Sequence, residues 1–117
     1  MKERRGFVRV QTNHLLAETV MQVSVQGKLS HRKIKATIEN LSADGVLLCT
    51  MEKLPLDAHI IMNIPLTDNQ FACCKAIVVR RDVHDHLHAY GCHCIYITEQ
   101  DREKLEQFVY RLSLQNG

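Results

Sequence analysis

Three arginines near the start of the chain, Arg4, Arg5 and Arg9, are the residues whose type and spacing most directly suggest binding chemistry. The guanidinium group is a planar fork of N–H donors that can bind two acceptors at once, on a phosphate or on the edge of a base. Arg5 and Arg9 form an R-x-x-x-R pattern, which Arg4 directly precedes. Because no apolar period accompanies them, we predict a flexible basic arm over residues 1–14.

A second polar pattern, [D/N]-x-S-x-x-G, is formed by Asn40, Ser42 and Gly45. The Asn amide and the Ser hydroxyl can each donate and accept hydrogen bonds, as base edges require. Glycine permits positive φ and a close backbone approach. Taken alone, all three are also ordinary turn residues, just as basic termini are commonly no more than solvated.

The apolar alternation changes phase just before this second pattern. Ile38 is followed by Leu41 at a distance of three positions, where a regular strand would have two. Such a phase break predicts a β-bulge near residues 39–40, which would turn Asn40 and Ser42 towards the outer face. Bulges often re-aim side chains towards a ligand, so this position favours a binding site.

A cluster of imidazoles and thiols near the C-terminal third suggests a metal site as an alternative: His84, His86, His88, Cys92 and Cys94. Both groups are ligands for zinc and copper. However, C-x-C lacks the C-x₂-C spacing typical of structural zinc sites, and two cysteines two positions apart on a strand share one face. We therefore expect no metal site at these residues.

The elements that must position these residues are mostly strands. Period-two alternation and turn residues predict six short strands, with a polar turn over residues 27–33. The strands are expected over residues 17–25, 34–39, 46–49, 60–64, 73–81 and 90–97. A helix over residues 98–114 follows from the Thr98 and Asp101 capping pair and from an apolar stripe. The stripe consists of Leu105, Phe108, Val109 and Leu112. The predicted fold is mainly β, a six-stranded antiparallel barrel with a C-terminal helix packed on it.

Composition excludes several classes of function. A length of 117 residues predicts one domain, and a net charge of +2 is too small to indicate non-specific nucleic-acid binding. No apolar stretch approaches the length of a membrane span, and no apolar segment of a secretion signal follows the basic N-terminus. Five cysteines without such a signal favour reduced thiols. We expect a cytoplasmic protein.

The order of the two patterns resembles the PilZ domain family. The first segment is Glu-Arg-Arg-Gly-Phe-Val-Arg at residues 3–9, and the second is Asn-Leu-Ser-Ala-Asp-Gly at residues 40–45. Tyr90-Gly91 and residues 97–105 also look like the family's last strand and the start of its C-terminal helix. The resemblance extends over nearly the whole chain and implies a PilZ-type barrel. Because the family has apolar core residues at the places of Cys92 and Cys94, the resemblance also implies that these two thiols are buried and unreactive.

The resemblance implies a bacterial receptor for the second messenger cyclic di-GMP, with no catalytic activity, cofactor or metal. By family resemblance, the ligand-binding residues would be Arg4, Arg5, Arg9, Asn40, Ser42 and Gly45. The arm would close over ligand on the barrel surface, and the extra arginine at position 4 would favour a stacked ligand dimer. An unidentified effector protein would recognise the ligand-bound form, with outputs such as motility or biofilm regulation. The chain would be a monomer or weak dimer.

Four alternatives remain beside this expectation. A degenerate PilZ domain would bridge proteins without binding nucleotide. A barrel binding single-stranded nucleic acid would need stacking aromatic residues, and the chain has three Phe, three Tyr and no Trp. A metal or redox sensor would use the His and Cys cluster. For the fourth alternative, an enzyme, the sequence contains no nucleophile-elbow motif. One departure from many relatives is Asp44, a carboxylate before Gly45 that could weaken the binding of an anion.

Overall fold

Six strands and one C-terminal helix form the architecture of the computed structural model, which describes residues 9–25, 28–67, 69–84 and 87–116. The strands are β1 (Val10–Val25), β2 (Lys28–Ser42), β3 (Gly45–Thr50), β4 (His59–Pro65), β5 (Phe71–His84) and β6 (Leu87–Ile97), and the helix is α1 (Glu99–Asn116). No helix in this described part of the chain has the length and apolarity that crossing a membrane requires.

The strands close into a barrel in the order β1-β2-β3-β6-β5-β4, with every neighbouring pair antiparallel. Closure comes from β1 and β4, which pair from Glu18 opposite Asn63 to Gln22 opposite His59. Each strand therefore has two hydrogen-bonded neighbours, and the barrel has no open sheet edge along these segments. The predicted fold class, a six-stranded antiparallel barrel with a C-terminal helix, is confirmed.

The first strand begins earlier than predicted. Val10 pairs with Leu41 and Gln11 with Asn40, so residues 10–14 belong to β1 and not to the arm expected over residues 1–14. Residues 1–8, including Arg4 and Arg5, lie outside the described residues. The alternation of β1 was hidden at its start because the register shifts between Gln11 and Leu15.

The polar turn predicted over residues 27–33 is wrong for most of its length. Residues 28–33 are the first part of β2 and pair with the last part of β1. All six of these residues are exposed, so this part of β2 has no buried face. A period of two appears in a sequence only where one face of a strand is buried, and the polar composition here resembled a turn for that reason.

Aliphatic side chains make up most of the barrel core. Every second residue of β4 points inwards, and Ile60, Met62 and Ile64 are fully buried. Leu105 and Val109 of α1 are buried in the same core, with Phe108 and Leu112 packed partly against it. The predicted apolar stripe of the helix is thus confirmed, and it covers one part of the barrel.

The start of α1 uses the predicted capping residues in a different arrangement. The Asp101 N–H donates to Thr98 Oγ1 at 3.1 Å, as an N-cap requires. The Asp101 carboxylate accepts a hydrogen bond from the Cys73 N–H at 3.1 Å, and so does not complete a capping box with Thr98. This carboxylate therefore ties the first turn of α1 to β5.

A buried tyrosine organises the connection between β3 and β4. Tyr90 on β6 is fully buried, and its hydroxyl accepts a hydrogen bond from the Leu54 N–H at 2.7 Å. The same hydroxyl donates to the Glu52 carbonyl at 3.2 Å. One phenol thus satisfies two backbone groups of a segment that has no strand partner of its own.

We predict that Tyr90→Phe lowers the free energy of unfolding by about 1–3 kcal/mol, because the buried Leu54 N–H would lose its partner. Urea denaturation followed by circular dichroism measures this change. Tyr110→Phe is the matched control, since Tyr110 is 63% exposed on α1 and should leave stability unchanged. Equal effects of the two substitutions would contradict the role given to the Tyr90 hydroxyl.

Candidate functional site

Three strand irregularities interrupt the regular alternation of the barrel. Glu39 is an extra residue of β2 opposite β3, which confirms the bulge predicted from the phase break. Val79 is an extra residue of β5 opposite β6, and Ile95 is an extra residue of β6 opposite β5. A bulge shifts the side chains beyond it relative to the regular alternation, so these three positions re-aim residues that a regular barrel would bury or separate.

The first and second sequence patterns meet at β1 and β2. Arg9 lies just before β1, and its Nη1 donates a hydrogen bond to Asn40 Oδ1 at 2.9 Å. Asn40 is half-buried beside the bulge at Glu39, while the Arg9 side chain is exposed. The structure therefore brings together Arg9 of R-x-x-x-R and Asn40 of the second pattern, which are far apart in the sequence.

Ser42 does not turn towards the outer face as the sequence predicted. It is 1% exposed, and its hydroxyl donates to Asp44 Oδ1 and, more weakly, to the Gly45 carbonyl at 3.4 Å. Leu41 is also fully buried, so the chain beyond the bulge turns inwards over consecutive residues as β2 ends. Ser42 holds the carboxylate of Asp44, the residue noted as a departure from many relatives.

Gly45 is required by strand packing. A Cβ atom at this position would lie 2.6 Å from the carbonyl oxygen of Cys92 on β6, a distance no side chain tolerates against backbone. Its φ lies outside the positive range, so the positive φ suggested by the sequence is wrong. The glycine lets β3 approach β6, where the Cys94 N–H donates to the Asp44 carbonyl at 2.9 Å.

A pocket of about 150 Å³ opens on the outer surface between β3, β5 and β6. Arg9 and Gly45 line it, which places one residue from each sequence pattern at the same cavity. The remaining lining residues are Asp44, Val46, Leu47, Val79, Arg80, Gly91, Cys92 and His93. The pocket therefore contains two guanidinium groups, one imidazole and one carboxylate, a composition suited to an anion that also carries hydrogen-bond donors.

Sequence reasoning missed Arg80. The bulge at Val79 leaves both Val79 and Arg80 exposed, and Arg80 lies across Gly91 of β6. A Cβ at Gly91 would be 3.0 Å from Arg80 Cγ and Cζ, so the glycine makes room for this side chain. The sequence contains both the glycine, in Tyr90-Gly91, and two candidate arginines, in Arg80-Arg81. Only the strand register shows that Arg80 is the arginine opposite Gly91.

The His and Cys cluster forms no metal site among the described residues, where no three metal-binding side chains converge. His86 and the His84 side chain lie outside that description. Burial raises the pKa of the Cys92 thiol to about 12, which agrees with the prediction of a buried, unreactive thiol. Cys94 is only half-buried, so the burial predicted for both thiols is wrong for this residue.

Comparison with protein families shows that residues 3–111 match the PilZ domain. A comparison with curated protein sequences gives no match. The match covers both sequence patterns, all six strands and most of α1.

Solved structures with the same fold include three proteins of low sequence identity. The inhibitor of motility MotI/DgrA of Bacillus subtilis is 17% identical with a TM-score of 0.73, covering 97% of this chain and 53% of that one. The PilZ domain of YcgR from Escherichia coli with c-di-GMP is 11% identical with a TM-score of 0.65, covering 97% and 95%. The MrkH–c-di-GMP complex of K. pneumonia is 14% identical with a TM-score of 0.68, covering 99% and 55%. The chain thus spans about half the length of MotI and MrkH.

We predict different effects for alanine at the two glycines of the site. Gly45→Ala should lower the free energy of unfolding by about 1–3 kcal/mol, because the new methyl group meets the backbone of Cys92 and forces β3 from β6. Gly91→Ala meets only the Arg80 side chain, which can move, so its loss of stability should be smaller. Thermal and urea unfolding of both variants measure the difference. A larger loss of stability for Gly91→Ala than for Gly45→Ala would refute the packing role given to Gly45.

Proposed function

Since the chain belongs to the PilZ domain family, we propose that it is a receptor that binds cyclic di-GMP at the pocket beside Arg9 and Gly45 and relays binding to a protein partner. The observation that carries this proposal is the hydrogen bond between Arg9 and Asn40. It joins the arginine pattern to the second pattern, and Arg9 itself lines the cavity. Two of the structural neighbours cited above, the YcgR PilZ domain and MrkH, are complexes with c-di-GMP, which supports the choice of ligand.

The charges of the pocket suit this ligand. Cyclic di-GMP has two phosphates and two guanines, whose outer edges carry the O6 and N7 acceptors. Arg9 and Arg80 offer planar N–H forks that can bind either group bidentately. The Asn40 amide is half-buried and hydrogen-bonded to Arg9, beside which it can add a donor or an acceptor.

The second pattern acts partly from within the barrel in this proposal. Ser42 is a positioning residue, because its buried hydroxyl holds Asp44 and does not face the pocket. Gly45 brings β3 against β6 and so sets the width of the pocket floor. Of the three residues of the pattern, Asn40 is therefore the one proposed to touch the ligand directly.

The volume of the pocket requires a contribution from the arm. About 150 Å³ is below the 300–1,000 Å³ typical of pockets that enclose a whole small ligand. The pocket would hold one phosphate or one base, with the rest of the ligand on the outer surface. Arg4 and Arg5 would cover that remainder, and Arg4 would favour a stacked ligand dimer. Ordering of residues 1–8 on binding would create the surface that an effector protein reads.

Isothermal titration with cyclic di-GMP tests the function, with GTP as the control ligand. We expect saturable binding of the cyclic dinucleotide alone, with about two ligands per chain if a stacked dimer forms. No heat and no thermal stabilisation would instead identify a protein interaction module that binds no nucleotide.

Arginine substitutions test the site itself. Arg9→Ala should abolish detectable binding, and Arg80→Ala should weaken it at least about tenfold, since a hydrogen bond to a charged group contributes about 1.5–3 kcal/mol. Arg81→Ala is the matched control, because Arg81 is the exposed neighbour of Arg80 in β5 and does not line the pocket. Equal losses for positions 80 and 81 would show that general charge, and not this pocket, governs binding.

The carboxylate of Asp44 should oppose binding of the ligand's phosphates. We expect Asp44→Asn to tighten binding roughly fivefold, since two charges about 4 Å apart interact with about 1 kcal/mol in water. The amide oxygen of Asn can still accept the Ser42 hydroxyl, so the fold is retained. Asp82→Asn, on the exposed part of β5 outside the pocket, is the control and should have little effect. Weaker binding by Asp44→Asn would mean that the carboxylate accepts N–H donors of a guanine.

A further inference from the structure

Two of the five cysteines lie together beneath the loop that joins β2 and β3. Cys74 of β5 and Cys94 of β6 line the same small void, of about 10 Å³, with Ser42, Gly45 and Leu105. In the strand register Cys94 pairs with Ala76, two positions from Cys74, so the two cysteines are diagonal neighbours on one face. The bulge at Ile95 begins directly after Cys94, so the pairing of β5 with β6 is irregular at this point.

The two thiols are close enough to perturb one another, and their environments make them chemically unequal. The neighbouring Cys74 thiol lowers the pKa of Cys94 to about 7 against the opposing effect of burial; the Tyr96 backbone and the Arg102 guanidinium lower it further, and Asp44 raises it. The pKa of Cys74 is raised by the neighbouring Cys94 thiol and by burial. Cys94 is half-buried while Cys74 is 3% exposed. The pair therefore combines a more acidic, partly accessible thiol with a buried one beside it.

We propose that Cys74 and Cys94 are a redox modification site, at which a peroxide drives formation of a reversible disulfide. The Cys94 thiolate attacks one oxygen of hydrogen peroxide, which releases hydroxide and leaves a sulfenic acid on Cys94. The Cys74 sulfur then attacks the sulfenic sulfur, and water leaves with the Cys74 proton as the S–S bond forms. Counted from the two thiols, the protein loses two electrons and two protons, and the peroxide is reduced to two water molecules once the hydroxide is protonated.

Disulfide formation would be transmitted to the β2–β3 loop. The Cys94 N–H donates to the Asp44 carbonyl at 2.9 Å, and Asp44 holds the Ser42 hydroxyl. Closing an S–S bond of about 2 Å between β5 and β6 must draw Cys94 towards β5 and away from this carbonyl. The turn between Ser42 and Gly45, which contains Asp44, is therefore the part of the molecule that should respond first.

The first experiment treats the reduced full-length chain with hydrogen peroxide, then blocks the remaining thiols and measures intact mass and cross-linked peptides. We expect the loss of two hydrogens, reversed by dithiothreitol, in the wild type and in Cys73→Ser. Cys73 is the matched control because it adjoins Cys74 but is exposed on the opposite face of β5. Cys74→Ala and Cys94→Ser should both lose the cross-link, and thermal unfolding monitors whether each variant is folded.

The second measurement separates this pair from accidental oxidation. The rate of cross-linking should rise as the pH rises through about 7, where Cys94 becomes the thiolate, and not near the ordinary thiol value. Cys49→Ser should leave the rate unchanged. A cross-link that survives in folded Cys74→Ala or Cys94→Ser, or one that requires Cys73, would overturn the proposal.

The third measurement addresses the loop without relying on nucleotide binding. Amide hydrogen exchange of the oxidised chain should be faster at Cys94 than in the reduced chain, because its bond to the Asp44 carbonyl lengthens. Unchanged exchange at Cys94 would refute the transmission to the loop. Any change in the affinity of the oxidised chain for cyclic di-GMP rests on the proposed function. If the reduced chain binds no cyclic di-GMP, the proposed function fails. The cross-link and exchange results still decide the redox proposal in that case.

Discussion

Closure of the sheet is the constraint on which the other features of this structure depend. β1 pairs with β4 as well as with β2, so along the barrel each strand is held on both sides and its side chains must alternate between the core and the surface. A closed barrel leaves no freedom to rotate one strand independently of its neighbours. Side chains that depart from the alternation must therefore come from extra residues, and the bulges at Glu39, Val79 and Ile95 supply them. The Glu39 bulge lies beside Asn40, Val79 is itself part of the pocket wall, and Ile95 follows the cysteine bonded to the Asp44 carbonyl.

The contact between β3 and β6 gives the second sequence pattern a physical explanation. Gly45 allows the carbonyl of Cys92 to approach where no Cβ could be accommodated, and this brings the loop before β3 within hydrogen-bond distance of Cys94. Ser42 then satisfies the Asp44 carboxylate from the inside. The pattern thus combines one outward group, the Asn40 amide, with two residues that build the loop. A motif of this kind can be required for binding although most of its members never touch the ligand, because the position of a surface group depends on the backbone beneath it.

The sequence contained most of the fold because burial produces a readable period. The stripe of α1, the alternation of β4 and the phase break before Leu41 each reflected a buried face, and each was confirmed. Residues 28–33 were predicted to be a turn because that part of β2 has no buried face. The orientation of Ser42 could not be inferred because consecutive buried residues after a bulge follow no period. The contribution of Arg80 was invisible for a different reason: it depends on a one-residue shift between β5 and β6, which only the pairing reveals.

The small pocket determines how such a domain could signal under the proposed function. A cavity of about 150 Å³ cannot enclose a cyclic dinucleotide, so a bound ligand would remain partly exposed beside Val79 and His93. An exposed ligand becomes part of the surface that a partner meets, together with the arginines that hold it. The barrel need not change shape for this, and its closed hydrogen bonding and fully buried aliphatic core resist deformation. Specificity for the bound state would then come from what the ligand and the arm add to a rigid surface, because a partner can distinguish two states only by contacts that differ between them.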